Sequence, residues 1–402
     1  MDFRDSPEEA AFRQEVGQFL DTEWKSDDGE SGATTSAAMA GTLGGPGAME
    51  AYKAWMRKLA TKGWVAAAWP EEYGGAGLSI MQQFVFNEEL ALARAPRPGG
   101  IGIAMAGPTI IVYGTEEQKK EHLSGMLSGE VTWCQGFSEP ESGSDLASLK
   151  TRAEKDGDDY IVNGQKIWTT GAQYADRMIL MARTDPDAPK HKGISYFLLD
   201  MKSPGVSVRP LVTMAGTTTF NEVFFEDVRV PRQDLLGEEN RGWYVGTTTL
   251  DFERSSIGTS IAQGQQVDDL IRWVRKNRPE GLDESEKLEL ADRHIEAETA
   301  RLMSYRVISL QNRGQVPNHE ASAVKIYAGE LHQRTMNTAV KIAKMYGQLE
   351  HGSRSEPDSA ASRYGQKWAG GYLRGVAQTI AGGTSEINRG IIATRGLGLP
   401  RG

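Results

Sequence analysis

The stretch VTWCQGFSEPESGSD, residues 131–145, decides the fold, because the pattern of the sequence changes there from helical to β-rich. Before it, apolar residues recur at helical spacing. After it, short β-rich runs alternate with turn-forming residues such as Asn163 and Gly164; these runs are 131–135, 160–162, 178–182, 194–199, 206–212 and 223–228. Helical patterns return beyond residue 241, at 243–276, 285–313, 318–347 and 361–379. The sequence therefore predicts a helical, then a β, then a helical region.

The first helical region is predicted to cover residues 1–130. At its start Ser6 can cap a helix, Pro7 suits a first helical turn and Glu9 completes a capping box. Residues 26–49 are rich in Ser, Asp, Thr, Ala and Gly and are predicted to be a flexible loop. We expect the central β domain to span 131–236 and the C-terminal helical domain to span 237–402.

Composition narrows the class of protein. The chain has 402 residues, a 39% share of apolar residues and a formal net charge of −9. This net negative charge argues against a surface that binds duplex nucleic acid or an anionic membrane, because both need clustered excess Lys and Arg. The N-terminus lacks the features of a signal peptide, and the longest uncharged stretch, 98–115, is interrupted by glycines and Pro108, so we expect no membrane span.

The numbers and spacing of cysteines and histidines exclude further classes of protein. Cys134 is the single cysteine, which excludes an intrachain disulfide and favours a reducing, cytoplasmic location. The six histidines are scattered without the spacing of metal ligands, so we expect no metal site.

Three polar runs are candidates for chemistry. Residues 136–145 form a turn rich in hydroxyls and backbone N–H groups, which suits a phosphate or a carbonyl-rich ring, or is a plain surface turn. Residues 162–171 are interpreted as a hairpin whose returning strand carries Trp168 beside two hydroxyls, and such residues often only pack. Residues 380–389 end one helix in paired glycines and begin another, capped by Thr384 or Ser385; this is a helix corner or an anion contact.

Taken together and in this order, the three runs resemble the acyl-CoA dehydrogenase family of flavoproteins. The resemblance covers nearly the whole chain and includes the runs WPEEYGG at 69–75 and FNEVFFEDVRVP at 220–231. It implies an α+β fold with a helical N-terminal domain, a central β domain and a C-terminal four-helix bundle. It also implies an FAD cofactor lying between the β domain and the bundle.

The resemblance also implies roles for residues of the β domain. Phe137 and Ser138 fall on family positions that contact the pyrimidine edge of the flavin, and Ser144 falls near the pyrophosphate. Trp168 and Thr170 match residues that lie against the isoalloxazine ring, with Thr170 near N5.

Near the C-terminus, Thr384 and Glu386 match positions that contact the cofactor, although the family often has Gln where Glu386 stands. In much of the family the catalytic carboxylate occupies position 382, where this chain has Gly382. The backbone N–H of Gly382 is still expected to polarise the thioester carbonyl, together with a ribityl hydroxyl of FAD.

A subset of the family, similar to isovaleryl-CoA dehydrogenase, places the base within a Leu-Asp-Leu-Glu-Arg run. This chain has LDFER at 250–254, and Glu253 falls on the base position. From the residues alone Glu253 is a solvated helix carboxylate; the glycine at 382 makes it the predicted catalytic base. The implied reaction converts an acyl-CoA to its trans-2-enoyl-CoA and passes electrons to an electron-transfer flavoprotein or a similar acceptor.

Two other functions stay open at this point: a flavin oxidase or monooxygenase on the same fold, and a non-catalytic or half-site partner subunit. Homotetrameric members carry Arg-x-x-Phe-Gly and Gln-x-x-Gly-Gly-x-Gly runs that reach a neighbouring subunit's FAD. The corresponding regions here, RWVRKNRPEG at 272–281 and MYGQLEHG at 345–352, do not match. The expected assembly is therefore a homo-oligomer or a heterotetramer with a second acyl-CoA dehydrogenase subunit.

Overall fold

The computed structural model describes residues 4–24, 48–253, 258–348 and 360–400. The chain forms two compact units, Met1–Ser255 and Ser256–Gly402. The predicted domain boundaries at 130/131 and 236/237 stay a prediction. Most of the predicted loop at 26–49 lies outside the described residues, but its last two residues already belong to a helix.

The first unit opens with helices. Helix α1 (Pro7–Glu23) begins with the predicted capping box, in which the Ser6 hydroxyl accepts from the Glu9 N–H and the Glu9 carboxylate accepts from the Ser6 N–H. Its apolar face is buried at every turn because Phe12, Val16 and Leu20 recur at helical spacing. The helices that follow are α2 (Ala48–Ala60), α3 (Ile80–Leu92), α4 (Gly107–Tyr113) and α5 (Glu116–Ser128).

A seven-stranded sheet follows in the same unit. The strands are β1 (Trp133–Gly136), β2 (Arg152–Asp156), β3 (Asp159–Lys166), β4 (Arg177–Arg183), β5 (Ile194–Asp200), β6 (Val206–Leu211) and β7 (Phe220–Val230). Their order in the sheet is β1-β4-β2-β3-β7-β6, and β5 pairs with β4. Strands β1 and β4 are parallel, whereas β3 and β7, β4 and β5, and β6 and β7 are antiparallel.

The hairpin turn predicted at Asn163 and Gly164 is wrong. Strand β2, which the sequence reading missed, pairs with β3 out to Asp156 and Asp159, so the chain reverses before Asn163. Gly164 instead lies inside β3 at a register shift, and a Cβ there would come within 2.7 Å of the Thr151 Cα. Glycine is required by this close approach, not by a turn.

The middle of the sheet is buried on both faces. Along β4, Ile179 and Met181 join the apolar cluster that includes residues of α4 and α5, whereas Met178 and Leu180 join a second cluster on the other face. Alternate side chains of a strand point to opposite faces, so a continuous apolar run is needed here. Helix α6 (Gly242–Glu253) belongs to this unit and contributes Val245 to the first cluster.

The second unit is helical. Trp273, Met336 and Trp368 are buried together in its largest apolar cluster. None of the helices in the described ranges is long and apolar enough to cross a membrane. The helices are α7 (Gly258–Asn277), α8 (Glu284–Asn312), α9 (Asn318–Ala343), α10 (Ala360–Gly375) and α11 (Ser385–Ile391).

Candidate functional site

Two of the predicted runs lie side by side in the first unit. The backbone N–H of Ile167 donates to the carbonyl of Ser138 at 2.9 Å, so the segment after β1 runs against the end of β3. Ser138 is thereby brought next to the residues that lead into Trp168. The structure groups these two predicted cofactor contacts although 30 positions separate them in the chain.

Trp168 has a backbone conformation that residues other than glycine seldom adopt. Its φ is +60°, in the left-handed region, and its indole is 58% exposed. The ring packs edge-on against Phe220, with centroids 5.9 Å apart. Strained backbone costs stability and persists only where the surrounding structure holds it, and it is concentrated at ligand and active sites. An exposed aromatic ring on such a backbone is therefore a candidate ligand contact.

The residue after Trp168 anchors this conformation. Thr169 and Asn221 exchange backbone hydrogen bonds at 3.0 and 3.1 Å, and the Asn221 side-chain amide donates to the Thr169 carbonyl at 3.0 Å. The Thr169 hydroxyl is buried and has no hydrogen-bond partner within the described part of the chain. Thr170 is half-buried beside it. These contacts hold the Trp168 indole in place and leave the Thr169 hydroxyl available to hydrogen-bond a ligand.

The other predicted contacts of the β domain are placed differently. Phe137 is buried, and its ring packs against Tyr196 at 5.8 Å, so its side chain belongs to the core. Ser144 is exposed, next to Asp145, whose carboxylate accepts from the Lys190 ammonium at 2.9 Å. Ser144 is therefore accessible, whereas the Phe137 side chain is not.

A buried ion pair that the sequence reading missed lies behind these segments. The Lys166 ammonium is 2.7 Å from the Glu139 carboxylate, and both side chains are buried. A signal for it exists: in β3, Tyr160, Val162 and Lys166 are all buried, so Lys166 stands among interior positions of the strand. A lysine there needs a buried partner, since an isolated buried charge is costly.

Helix α6 ends at Glu253, whose side chain lies outside what the structure describes. One turn earlier, the buried hydroxyl of Thr249 contacts the hydroxyls of Thr109 and Tyr196 at 2.9 and 3.2 Å. Thr248 adds a 2.9 Å contact to the Tyr113 hydroxyl. These hydrogen bonds fix the last turns of the helix that carries the predicted base.

The C-terminal run forms a helix corner in the second unit. Gly382 and Gly383 have φ of +65° and +85°, where glycine is favoured. Thr384 caps α11, as predicted, by accepting from the Ile387 N–H at 3.2 Å, and the Asn388 amide donates to the Gly383 carbonyl at 3.0 Å. Glycine at 382 is thus the residue that this backbone favours.

Glu386 lies in the first turn of α11 with an 80% exposed side chain, 3.7 Å from Arg389. Its own backbone N–H and the Thr384 hydroxyl hold the pKa of this carboxyl below its usual value. The predicted residues therefore form two groups, one in each unit: Ser138, Trp168 and Thr170 in the first, and Gly382, Thr384 and Glu386 in the second.

A surface cavity of about 320 Å³ lies in the first unit, and none of the predicted site residues lines it. Asp234 lies in its wall, and burial raises the pKa of this carboxyl to about 6 against the opposing charge of Arg177. Within the described residues, no cluster of His, Cys, Asp and Glu side chains could hold a metal ion.

Family models match nearly the whole chain. The acyl-CoA dehydrogenase N-terminal domain matches residues 6–130, the middle domain 134–228 and the C-terminal domain 240–397. The chain therefore belongs to the acyl-CoA dehydrogenase family, whose members are FAD-dependent oxidoreductases. The expected fold class, with helical N-terminal, central β and helical C-terminal domains, is confirmed.

Several named proteins are similar over nine-tenths or more of their length. Acyl-CoA dehydrogenase IpdE1 of Mycobacterium tuberculosis is 37% identical over 375 residues, which cover 91% of this chain and 93% of that protein. The solved structure of the Tcur3481-Tcur3483 steroid ACAD covers all of both chains at 33% identity, with a TM-score of 0.84. The ChsE4-ChsE5 complex from Mycobacterium tuberculosis also covers all of both chains at 33% identity, with a TM-score of 0.78.

The residues of the first unit fit a flat, hydrogen-bonding ring system such as the flavin. Trp168 offers an exposed aromatic surface, Ser138 lies on the adjoining segment, and the Thr169 hydroxyl is buried without a partner in the described residues. An aromatic surface with a few polar groups beside it is the usual lining of a cofactor site.

Proposed function

We propose that this chain catalyses the α,β-dehydrogenation of an acyl-CoA thioester to the trans-2-enoyl-CoA with FAD as cofactor. The observation that carries the proposal is Trp168, which presents its indole at φ +60° beside the Ser138 segment. FAD, when bound, would supply the hydride acceptor N5. Ser138, Trp168 and Thr170 are proposed to hold the ring, and Ser144, Thr384 and Glu386 to contact the rest of the cofactor.

Glu253 is the proposed base. A carboxylate covered by substrate loses hydration, which raises its pKa towards the range useful for a general base. The α-proton would move to Glu253 as the thioester carbonyl is polarised by the backbone N–H of Gly382. The glycine at 382 removes the alternative base position, and the anchored end of α6 supports the role of Glu253.

For the substrate we propose an acyl group bearing fused rings. One similar structure is that of a steroid ACAD, and the absence of a side chain at Gly382 would make room for a bulky acyl group. For the assembly we propose a heterotetramer with a second acyl-CoA dehydrogenase chain. Two similar structures are two-chain assemblies, and the runs with which homotetramers reach a neighbour's FAD do not match in this chain.

The proposed location is cytoplasmic, and the proposed electron acceptor is an electron-transfer flavoprotein.

The test is to purify the chain alone and together with a second acyl-CoA dehydrogenase chain from the same organism. Mass and FAD per chain are measured first, followed by anaerobic bleaching of the flavin by steroid and straight-chain acyl-CoAs. We expect bleaching by the ring-bearing thioester in the two-chain assembly, followed by slow reoxidation in air.

Each alternative has its own outcome. A colourless protein that takes up no FAD in either preparation would contradict the cofactor assignment. A fully active homotetramer with one FAD per chain would contradict the heteromer. Rapid reoxidation with consumption of oxygen would identify a flavin oxidase or monooxygenase instead.

A further inference from the structure

We propose that the buried Lys166–Glu139 ion pair positions the two segments 137–139 and 166–170 against each other and thereby sets the affinity for flavin. The inference rests on the proposed function, because it takes these segments to be the flavin-binding edge. Lys166 and Glu139 act here as positioning residues, since neither is assigned a contact with the flavin.

The Lys166 ammonium holds both neighbours of Ser138. It donates to the Phe137 carbonyl at 3.0 Å and to the Glu139 carboxylate at 2.7 Å, and its side chain is fully buried. Between them, the Ser138 carbonyl accepts from the Ile167 N–H at 2.9 Å. Three consecutive residues of one segment are therefore bound by two consecutive residues of the other.

Glu139 extends the connection into the sheet. One carboxylate oxygen accepts from the Lys150 N–H at 2.6 Å, and the other accepts from the Thr151 N–H at 2.9 Å as well as from Lys166. Charge-assisted hydrogen bonds of this kind are shorter and stronger than neutral ones. The segment 137–139 is thus fixed to the chain that leads into β2 as well as to the end of β3.

Trp168 lies between this ion pair and a second anchor. Lys166 is two residues before it, and the backbone pairing of Thr169 with Asn221 follows it directly. A tryptophan at φ +60° relaxes unless both flanks are held. The ion pair holds one flank, so its loss should change the orientation of the indole.

Stability alone gives no reason to keep this pair. Removing two charges from water costs about as much as their attraction returns, and apolar replacements of similar volume are often neutral or stabilising. What an apolar pair cannot reproduce is the set of directed hydrogen bonds to the Phe137 carbonyl and to the backbone N–H groups. The ion pair is therefore better explained by the geometry that it imposes.

The pair is ionised at neutral pH. Burial lowers the pKa of Lys166 to about 8 against the pull of Glu139, and the nearby Arg183 lowers it further. Burial opposes the ionisation of Glu139, but Lys166 and the backbone N–H donors outweigh it, so the pKa of the carboxyl lies below its usual value. Above pH 8 the ammonium loses its proton, while Glu139 stays charged.

The first test compares Lys166→Met, Glu139→Gln and the double variant with the parent, each as the full chain and with the partner chain if assembly requires it. Lys155→Met is the matched control, because it also breaks a lysine–glutamate pair, but one in which Lys155 is exposed and its partner Glu239 is only half-buried. Apparent FAD Kd, thermal unfolding of the apoprotein and the visible spectrum of bound flavin are measured.

Each single variant leaves a buried charge or donor unpaired, so both FAD affinity and the apoprotein unfolding temperature should fall. The double variant buries no unpaired charge, so its unfolding temperature should lie above that of either single variant, but it should bind FAD at least tenfold more weakly and with an altered flavin spectrum. A double variant with the parent's Kd and spectrum would overturn the proposal, because the pair would then be only structural.

A second measurement needs no variant. If only the protonated Lys166 form binds well, the parent's FAD Kd should be constant from pH 6.5 to 7.5 and rise about tenfold by pH 9. A Kd that stays level to pH 9 would overturn the proposal, even if the double variant fails to fold. A parent that binds no FAD at any pH would contradict the proposed function itself, which is a distinct result.

Discussion

The hydroxyl oxygen of Tyr196 lies 3.2 Å from Oγ1 of Thr249, and Thr249 lies 2.9 Å from Oγ1 of Thr109. The three hydroxyls are buried and join strand β5, helix α6 and helix α4 within the first unit. Burial raises the pKa of Tyr196, so its hydroxyl keeps its proton and can either donate to or accept from Thr249. This chain of hydroxyls anchors the helix that ends at Glu253.

Thr249→Val should weaken that anchor without changing the volume of the side chain. The Tyr196 hydroxyl would lose its buried partner, which costs about 1–3 kcal/mol of unfolding free energy. Turnover should also fall, because the end of α6 would be less well positioned. Chemical denaturation and steady-state rates measure the two effects. Thr247→Val is the control, since its hydroxyl donates only to the Tyr244 carbonyl at 2.8 Å in an exposed position. Equal effects of the two variants would show that the buried contact has no special role.

Glu253→Gln should preserve the fold and the bound flavin but slow the reduction of flavin by substrate by about 10²–10⁴-fold, because the amide keeps the shape and removes the basicity. Anaerobic stopped-flow absorbance measures the rate directly. Glu284→Gln, an exposed helical glutamate at the start of α8, serves as the control. Reduction of the Glu253→Gln flavin at the parent rate would mean that another group is the base.

Trp168→Gly should weaken FAD binding with little effect on the stability of the apoprotein. Glycine adopts φ +60° freely, and the indole is mostly exposed, so the apoprotein stability should change by less than about 1 kcal/mol. FAD affinity should fall tenfold or more, because the aromatic surface is lost. Trp168→Phe keeps a flat ring and should bind FAD within a few-fold of the parent. If Trp168→Gly binds FAD as tightly as the parent, the indole is not a cofactor contact.

Asp234→Asn should stabilise the protein at neutral pH. The carboxyl has a pKa of about 6 in the folded chain, above its value of 3.8 in the unfolded chain. Between these values the unfolded chain releases the proton and the folded chain keeps it, so the free energy of unfolding falls as pH rises and the penalty is complete above pH 6. Because the carboxyl is partly hydrated, the gain of the variant at pH 7.5 should be about 1–2 kcal/mol. The gain should shrink towards pH 4.5. Urea unfolding of the parent and the variant at pH 7.5 and pH 4.5 measures it. An equal gain in unfolding free energy at both pH values would contradict the prediction.

Features specified within a few residues could be predicted from the sequence. The capping box of Ser6 and Glu9 and the cap at Thr384, one of the two predicted caps, depend on contacts between near neighbours. The positions of most strands and helices followed from periodicity, because one buried face imposes a repeat on the chain. The hairpin prediction failed because Asn163 and Gly164 have the same residue types as a turn, while the true reason for Gly164 is its approach to Thr151.

Amino-acid order by itself determined the succession of helical, β and helical regions, and it was enough to propose residues that contact the cofactor. Only the tertiary structure decided which of those residues meet. Lys166 reaches Glu139 across 27 positions, and Tyr196 reaches Thr249 across 53. Lysine and threonine are usually solvent-exposed residue types. The alternation of Tyr160 and Val162 places Lys166 at an interior position of β3, but it does not indicate which residue is its partner. Their partners are set by strand pairing and by the packing of α6 on the sheet, and such long-range contacts leave no periodic signal in the chain.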